Sequence, residues 1–207
     1  MKDYEALSKK HFDAQAAEYD ARDTYYYSQN GKISCRDIAR RLKAVPYENL
    51  LDVGCGTGFL IDLLAKEKKA AYTGLDLSEE MVKVAREKQI NGAEFITGSS
   101  ERLPFSDAGF DVVTCSQSFH HYPHPEKAMQ EAYRVLKKGG LYILSDTGIG
   151  GIGGWVDNHI LFKLMNSGDC HTTNRQGIAR QMESAGFHVI GSEKIHRFVY
   201  TVIGQKQ

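Results

Sequence analysis

The stretch LLDVGCGTGFL, residues 50 to 60, decides the fold. Leu50 to Val53 form a short apolar run of strand length, and glycines follow at alternate positions, Gly54, Gly56 and Gly58. Apolar residues then resume, and Phe59 to Lys68 reads as a helix with Leu60, Leu63 and Leu64 on one face. Three glycines take three side chains out of one turn, so the backbone there is open to the close approach of a ligand.

Working outward, strand and helix signals alternate. AAYTGLDL is a second strand. SEEMVKVAREK is a helix with Ser78 as N-cap and Met81, Val82 and Ala85 facing inward. AEFITG and FDVVTCS are the third and fourth strands. PEKAMQEAYRVLKKGG is read as a helix running to its stop at Gly139 and Gly140, and LYILSD is the fifth strand. This rhythm predicts a doubly wound α/β sheet that is mostly parallel. After the helical stretch TNRQGIARQMESAGF come HVIGSEKI and RFVYTVIG, two strands too close in sequence to pair in parallel, so an antiparallel hairpin ends the sheet. We expect one domain over residues 1–207, with a helical cap at 1–45. An insert at 149–174 would form a lid, with Trp155, Phe162, Leu164 and Met165 as its small core.

The glycine spacing discriminates among ligands. A dinucleotide fingerprint needs G-x-G-x-x-G, but the third required position is Phe59. A P-loop needs Lys after its glycines, and none follows. Asp52, on the strand before the loop, would repel phosphate and attract a cation. Asp76 ends the second strand at the ~20-residue distance where an acidic residue grips a ribose diol, with apolar Leu77 beside it for a base. The ligand these residues describe is a nucleoside with positive charge near the loop, and S-adenosylmethionine fits.

The motifs FDAQAAEYD, LLDVGCGTGFL, GLDLSEEMVKVAR, GSSERLPFSDAGFDVV, SFHHYPHPEKAMQEAYRVLKKGGLYILSD and the closing AGF stand in order along most of the chain. In this set the chain resembles class I S-adenosylmethionine-dependent methyltransferases of the small type 11, menaquinone-methyltransferase-like group. The resemblance implies a Rossmann-like seven-stranded sheet with helices on both faces and an antiparallel C-terminal hairpin. It also implies a cofactor site. Gly54, Cys55, Gly56 and Gly58 would form the floor, and Asp52 would hold the ammonium end or its loop. Asp76 would take the ribose hydroxyls, with Leu77 and Met81 packed at adenine. Ser99 stands where many relatives carry an aspartate for the adenine amino group, with Ser100 and Glu101 beside it. Cys115 and Ser116 would border the methionyl group, and Tyr19 would close the site from the amino-terminal side.

His120, His121 and His124 form a histidine-rich loop, read either as packing and loop anchoring or as a general base near its ordinary pKa of ~6.5. A metal is not expected, because no acidic partner lies at ligand spacing. The catalytic candidates are His120, His121 and Tyr19; His171 follows the insert as a further one. Tyr25, Tyr26 and Tyr27 are read either as an acceptor patch or as rings burying the cap. The sequence predicts methyl transfer to a small-molecule acceptor with release of S-adenosylhomocysteine. The alternatives are a non-catalytic cofactor-binding sensor or scaffold and, if the glycines are misread, a nicotinamide-dependent oxidoreductase.

Bulk properties bound the partners. Lys plus Arg and Asp plus Glu are 26 each in 207 residues, so the net charge is zero and the footprint of a general nucleic-acid binder is missing. The basic run at Arg36, Arg40, Arg41 and Lys43 is read as the solvated face of a helix. No apolar run reaches the ~20 residues of a membrane span. We therefore expect a cytoplasmic monomer or homodimer with no membrane or nucleic-acid partner. The four cysteines, at 35, 55, 115 and 170, are expected to be separate reduced thiols.

Overall fold

Leu50–Leu51, Val112–Val113 and Ile143–Leu144 are adjacent apolar pairs, and a strand sends neighbouring side chains to opposite faces. Such strands must be covered on both sides, which is the demand of a parallel sheet. The computed structural model meets it over residues 2–20, 26–165 and 167–207, with backbone alone described at 26–28. Seven strands form one sheet: β1 (Asn49–Val53), β2 (Ala71–Asp76), β3 (Ala93–Thr97), β4 (Phe110–Ser116), β5 (Leu136–Thr147), β6 (Phe187–His196) and β7 (Val199–Lys206). Their order is β3-β2-β1-β4-β5-β7-β6. The first five run parallel, and β7 pairs antiparallel with both β5 and β6.

One apolar cluster gathers Leu51, Val113 and Leu144 under α5 (Pro125–Val135) and α8 (Arg175–Ser184). The other gathers Leu50, Val112 and Ile143 under α2 (Tyr26–Leu42), α3 (Phe59–Glu67) and α4 (Glu79–Glu87). Each fully buried Leu or Ile contributes roughly 1.5–3 kcal/mol, so this two-sided burial dominates the fold. α1 (Tyr4–Asp13) lies apart from both clusters, over the carboxyl ends of the strands, where Asp13 Oδ1 accepts from Ser78 Oγ at 2.6 Å. Ser78 caps α4 by accepting from the Met81 N–H at 3.1 Å, as its sequence signature predicts.

Two expectations are corrected here. The helix before the fifth strand stops at Val135 rather than at the glycines, and Leu136 is already extended and paired with Phe110. Its last carbonyls are taken by tertiary donors: Gly109 N–H bonds Val135 O at 2.8 Å and the Lys206 ammonium bonds Tyr133 O at 2.7 Å. The second correction concerns the insert, which holds α6 (Gly151–Val156), a π-helical turn (Asp157–Leu161) and α7 (Phe162–Leu164). Trp155, Leu164 and Met165 are not its core, being 55%, 77% and 40% exposed. The basic run at the end of α2 forms the expected solvated face, with Arg36, Arg40 and Lys43 exposed, and it is also charge-paired: Arg40 and Arg41 both bond Asp37 at 2.7 Å, and Lys43 meets Glu67. The four cysteines are free thiols. Among the described residues no helix is long and apolar enough to cross a membrane. The tyrosine cluster at Tyr25, Tyr26 and Tyr27 lies outside the described residues.

Asp111 ties the two ends of the sheet's central crossover together. Its carboxylate accepts from the Glu48 and Asn49 N–H groups at 2.9 Å and from Lys137 at 2.6 Å. Although partial burial opposes it, these donors hold its pKa below the ordinary 3.8. Asp111→Ala is expected to lower stability by about 1–2 kcal/mol in urea unfolding at pH 7. Because the folded-state pKa is depressed, the contribution is complete above the ordinary carboxylate pKa and fades as pH falls below it, so parent and variant converge in acid.

Candidate functional site

The glycine loop is fastened to the end of β2. Gly54 and Cys55 both donate to Leu75 O, at 2.7 and 3.0 Å. Asp76 accepts from Gly56 N–H at 2.7 Å through one carboxylate oxygen and from Ser78 N–H at 2.9 Å through the other. The loop geometry requires two of its glycines for different reasons. At Gly54, φ is +74° and a Cβ would stand 2.0 Å from Ser118 Oγ, so the residue is fixed by packing. At Gly56, φ is +53° and a Cβ would meet nothing within 4 Å, so the residue keeps a space open.

That space belongs to a cavity at the carboxyl ends of β1, β2 and β4. This is the crevice where the strand order reverses. Of the predicted residues, Tyr19, Asp52, Gly54, Cys55, Gly56, Asp76, Leu77, Met81, Ser99, Ser100, Ser116 and His121 line it. Gly58, Glu101, Cys115 and His120 do not. Gly58 turns toward Phe95, where an added Cβ would lie at 2.9 Å. Glu101 accepts from His124 N–H at 2.7 Å and so anchors the loop before α5. Cys115 is fully buried, its Sγ 3.6 Å from Tyr122 Oη. Ser99 donates to Glu5 at 2.7 Å, joining the predicted adenine edge to α1.

The cover over this cavity comes from α1 and the segment after it, through Glu5, Ser8, Lys9, Phe12, Tyr19 and Asp20; among the described residues, none of the insert lines it. Thr57 in the loop donates to Asp20 at 2.6 Å, which draws that segment down. Sequence reading found Tyr19 but missed the α1 residues. The available signal was the polar and aromatic face Glu5, Ser8, Lys9, Phe12, at helical spacing.

Electrostatics favour a cationic, non-phosphate ligand. Glu5, Asp20, Asp52 and Asp76 line the cavity, and Lys9, one of two lysines there, is paired with Asp13 at 2.9 Å. Asp52 is 2% exposed and accepts from Thr114 Oγ1 at 2.7 Å. Burial pushes its pKa up to about 7, outweighing that hydrogen bond. Burial also raises Asp76, against the Ser78 and Gly56 N–H groups that favour its charged form.

The histidine loop corrects the expectation that no acidic partner is near. His120 Nδ1 lies 2.7 Å from Asp146 Oδ1 at the end of β5, and its Nε2 is 3.6 Å from Asp169 in the later part of the insert. His121 Nε2 is 3.9 Å from the same Asp169 oxygen. Ligand atoms of His120, His121 and Asp169 thus lie within 4.8 Å of one another. Desolvation works against a charged His120, yet Asp146 and Asp169 raise its pKa. Burial and the neighbouring His120 push His121 down, so its ring is held neutral. Among the described residues His121 Nδ1 is buried without a hydrogen-bond partner, and the ring meets Phe12 edge-on at 5.0 Å. His124 is exposed, and His171 packs against Phe119 at 5.3 Å.

Comparison with known proteins follows this geometry. Residues 51–144 match the family model described as "Methyltransferase domain". The chain is 41% identical over 113 residues to a demethylmenaquinone methyltransferase of Listeria welshimeri, covering 52% of this chain and 48% of that protein. It therefore spans about half the length of the curated relatives it matches. Among solved structures, a chain of the Haloferax volcanii complex containing the Trm112 methyltransferase activator superposes with TM-score 0.80 at 20% identity, over 96% of both chains. The [4+2]-cyclase SpnF superposes with TM-score 0.78 at 17% identity, over 99% of this chain and 97% of that one. That a cyclase shares the fold leaves the chemistry to be argued from the site.

Asp52 gives a pH test of the site. A carboxylate raised to about 7 by burial is ionised more readily in the unfolded chain, so it lowers stability increasingly as pH rises from the ordinary 3.8 through 7. Asp52→Asn keeps an acceptor for Thr114 and removes the charge. The variant is expected to gain on the parent by about 1 kcal/mol or more between pH 5 and pH 8, read from paired urea titrations.

Proposed function

We propose that this chain, whose residues 51–144 match a methyltransferase-domain family model, transfers a methyl group from S-adenosylmethionine to a small apolar acceptor and releases S-adenosylhomocysteine. The observation that carries the reading is Asp76: a carboxylate lining the cavity, aligned by two backbone N–H groups and, among the described residues, not paired with a basic side chain. Each of its oxygens has accepted one hydrogen bond here and has capacity for another, which suits a ribose diol.

The other residues fit the same ligand. The open space at Gly56 admits a group that no side chain obstructs. Leu77 and Met81 offer an apolar edge for adenine, and four carboxylates in the lining suit a cation better than a phosphate. When bound, the cofactor supplies a methyl group already activated by its sulfonium charge. The protein's part is to hold the acceptor in line and to exclude water. α1 serves exclusion by roofing the cavity, with Glu5 bonded to Ser99 and Asp13 to Ser78. Asp52, poised near neutrality by burial, ionises on meeting a positive charge and offsets it.

The acceptor end is the side lined by Phe12, Tyr19, His121, Tyr122 and Pro123, an aromatic surface for a flat apolar molecule. The Listeria relative's name gives that protein a demethylmenaquinone acceptor, which has this chemistry. His121 lines this end with its ring held neutral, and its Nδ1, without a partner among the described residues, can hydrogen-bond an acceptor hydroxyl and orient it. His120 steadies the loop by bonding Asp146 through both its backbone N–H, at 3.1 Å, and its ring.

Calorimetric titration tests the reading. Micromolar binding of S-adenosylmethionine and S-adenosylhomocysteine, about 8 kcal/mol, is expected, with Asp76→Ala weakening it by about 30-fold or more. With a panel of phenols and quinols, His121→Asn is expected to lower turnover by about 100-fold while leaving S-adenosylhomocysteine affinity unchanged. Absence of binding by the folded parent, or equal binding by Asp76→Ala, contradicts the proposal.

A further inference from the structure

The insert wears its amphipathic pattern inside out. At helical spacing, its small and polar residues face the protein: Gly154 is buried, and Asn158 exchanges two hydrogen bonds with the Thr172 backbone, at 3.0 and 2.6 Å. The large apolar residues face outward, with Ile152 85%, Trp155 55%, Ile160 45%, Leu161 45% and Leu164 77% exposed. A helix covering its own protein turns such a stripe toward the core. A contiguous exposed stripe instead marks a surface that something else covers. The insert's helical segments pack chiefly on one another, so no element of the described chain covers that face.

The surroundings say what does. Gly148 N–H bonds Phe198 O at 3.2 Å, which brings the β6–β7 turn beside the root of the insert and adds Phe198, 51% exposed, to the apolar surface. The same two segments carry three exposed cations: Lys163 on the insert and Lys194 and Arg197 on the hairpin. Among the described residues none of the three has an ion-pair partner, in a chain whose net charge is zero. His159 adds an imidazole stacked on Trp155 at 4.8 Å. Asp157 is the one acidic residue between positions 148 and 165. Apolar side chains on segments that carry unpaired cations match the boundary between acyl chains and anionic headgroups. A second copy of the chain fits poorly, because an isologous contact would bring the two sets of cations together.

Position reinforces this. Thr147 pairs with Val199, so the insert and the hairpin turn both leave the sheet at the carboxyl end of β5, the end that holds the cavity. The chain returning from the insert passes Gly168 against Ser8 of α1 and reaches the His120–His121 loop through Asp169. The return segment of the insert therefore meets Ser8 and His121, which line the cavity.

We propose that the outer face of the insert, with Phe198, docks on an anionic lipid bilayer: the apolar side chains enter the acyl boundary and Lys163, Lys194 and Arg197 meet the headgroups. The docking does not rest on the methyl-transfer reading. It departs from the sequence expectation of no membrane partner, since binding in the plane of an interface needs no spanning helix.

Trp155 is the sole tryptophan of the chain, so its fluorescence reports this surface in the unmodified protein. With vesicles of equal phosphatidylcholine and phosphatidylglycerol, its emission should shift to the blue and its quenching by acrylamide should fall by about half or more. Brominated acyl chains should quench it directly. The double variant Lys163→Glu, Arg197→Glu should lower vesicle partitioning by about 10-fold or more. Leu164→Asp should abolish co-sedimentation while its circular dichroism and thermal midpoint match the parent's. An unresponsive Trp155, or equal binding to pure phosphatidylcholine vesicles, overturns the proposal. So does shielding without vesicles that accompanies a doubled mass, which assigns the face to a second copy. Shielding by S-adenosylhomocysteine alone also overturns it and assigns the insert to closure over the cavity. Vesicle binding is read without cofactor, so its failure leaves the methyl-transfer reading standing, and the reverse.

Discussion

One carboxylate organises the carboxyl end of the sheet. Asp76 spans the Gly56 and Ser78 N–H groups, at 2.7 and 2.9 Å, and so locks the glycine loop to the start of α4. Leu75 O, one residue earlier, holds Gly54 and Cys55. Parallel pairing of β1 with β2, Val53 against Leu75, is what brings these segments into reach. The reversal of strand order between β1 and β4 then leaves a crevice above them, and α1 closes over it. Without the Asp76 bridge, the loop loses the contact that orients its open Gly56 edge, and α4 loses the anchor of its N-cap. On the proposed reading, structure and recognition therefore converge on one residue.

The electrostatic character of the cavity follows from the same placement. Asp52 and Asp76 end neighbouring strands and both suffer desolvation, which raises their pKa values. Two acids held in this way make the unliganded site easier to protonate and receptive to positive charge. A phosphate would meet the wrong sign. The nucleotide-cradle topology thus serves a different class of ligand through the chemistry of its loop, a separation of fold from function that the shared architecture of SpnF also illustrates.

What the sequence made legible was local in origin. Strand alternation, the Ser78 cap and the Asp76 position depend on neighbours within a few residues, and each was readable. What stayed hidden depended on the fold. The acidic partners of His120 come from Asp146 and Asp169, 26 and 49 positions away, and only β4–β5 pairing and the return of the insert bring them together. The true end of α5 depends on Lys206, more than 70 positions on. Apolar periodicity in the insert was visible, but a periodic stripe does not say whether it faces its own core or the outside. Trp155 and Leu164 were accordingly taken for core, and the structure turns them out.

The central claim is that Asp76 and the glycine loop hold a nucleoside by its ribose. A crystal structure of the protein grown with S-adenosylhomocysteine tests it most directly. The account predicts both ribose hydroxyls within hydrogen-bond distance of the Asp76 carboxylate, adenine against Leu77 and Met81, and the sulfur above Gly54 and Gly56. Density for the ligand outside this cavity, or inside it with the ribose turned away from Asp76, would contradict the account.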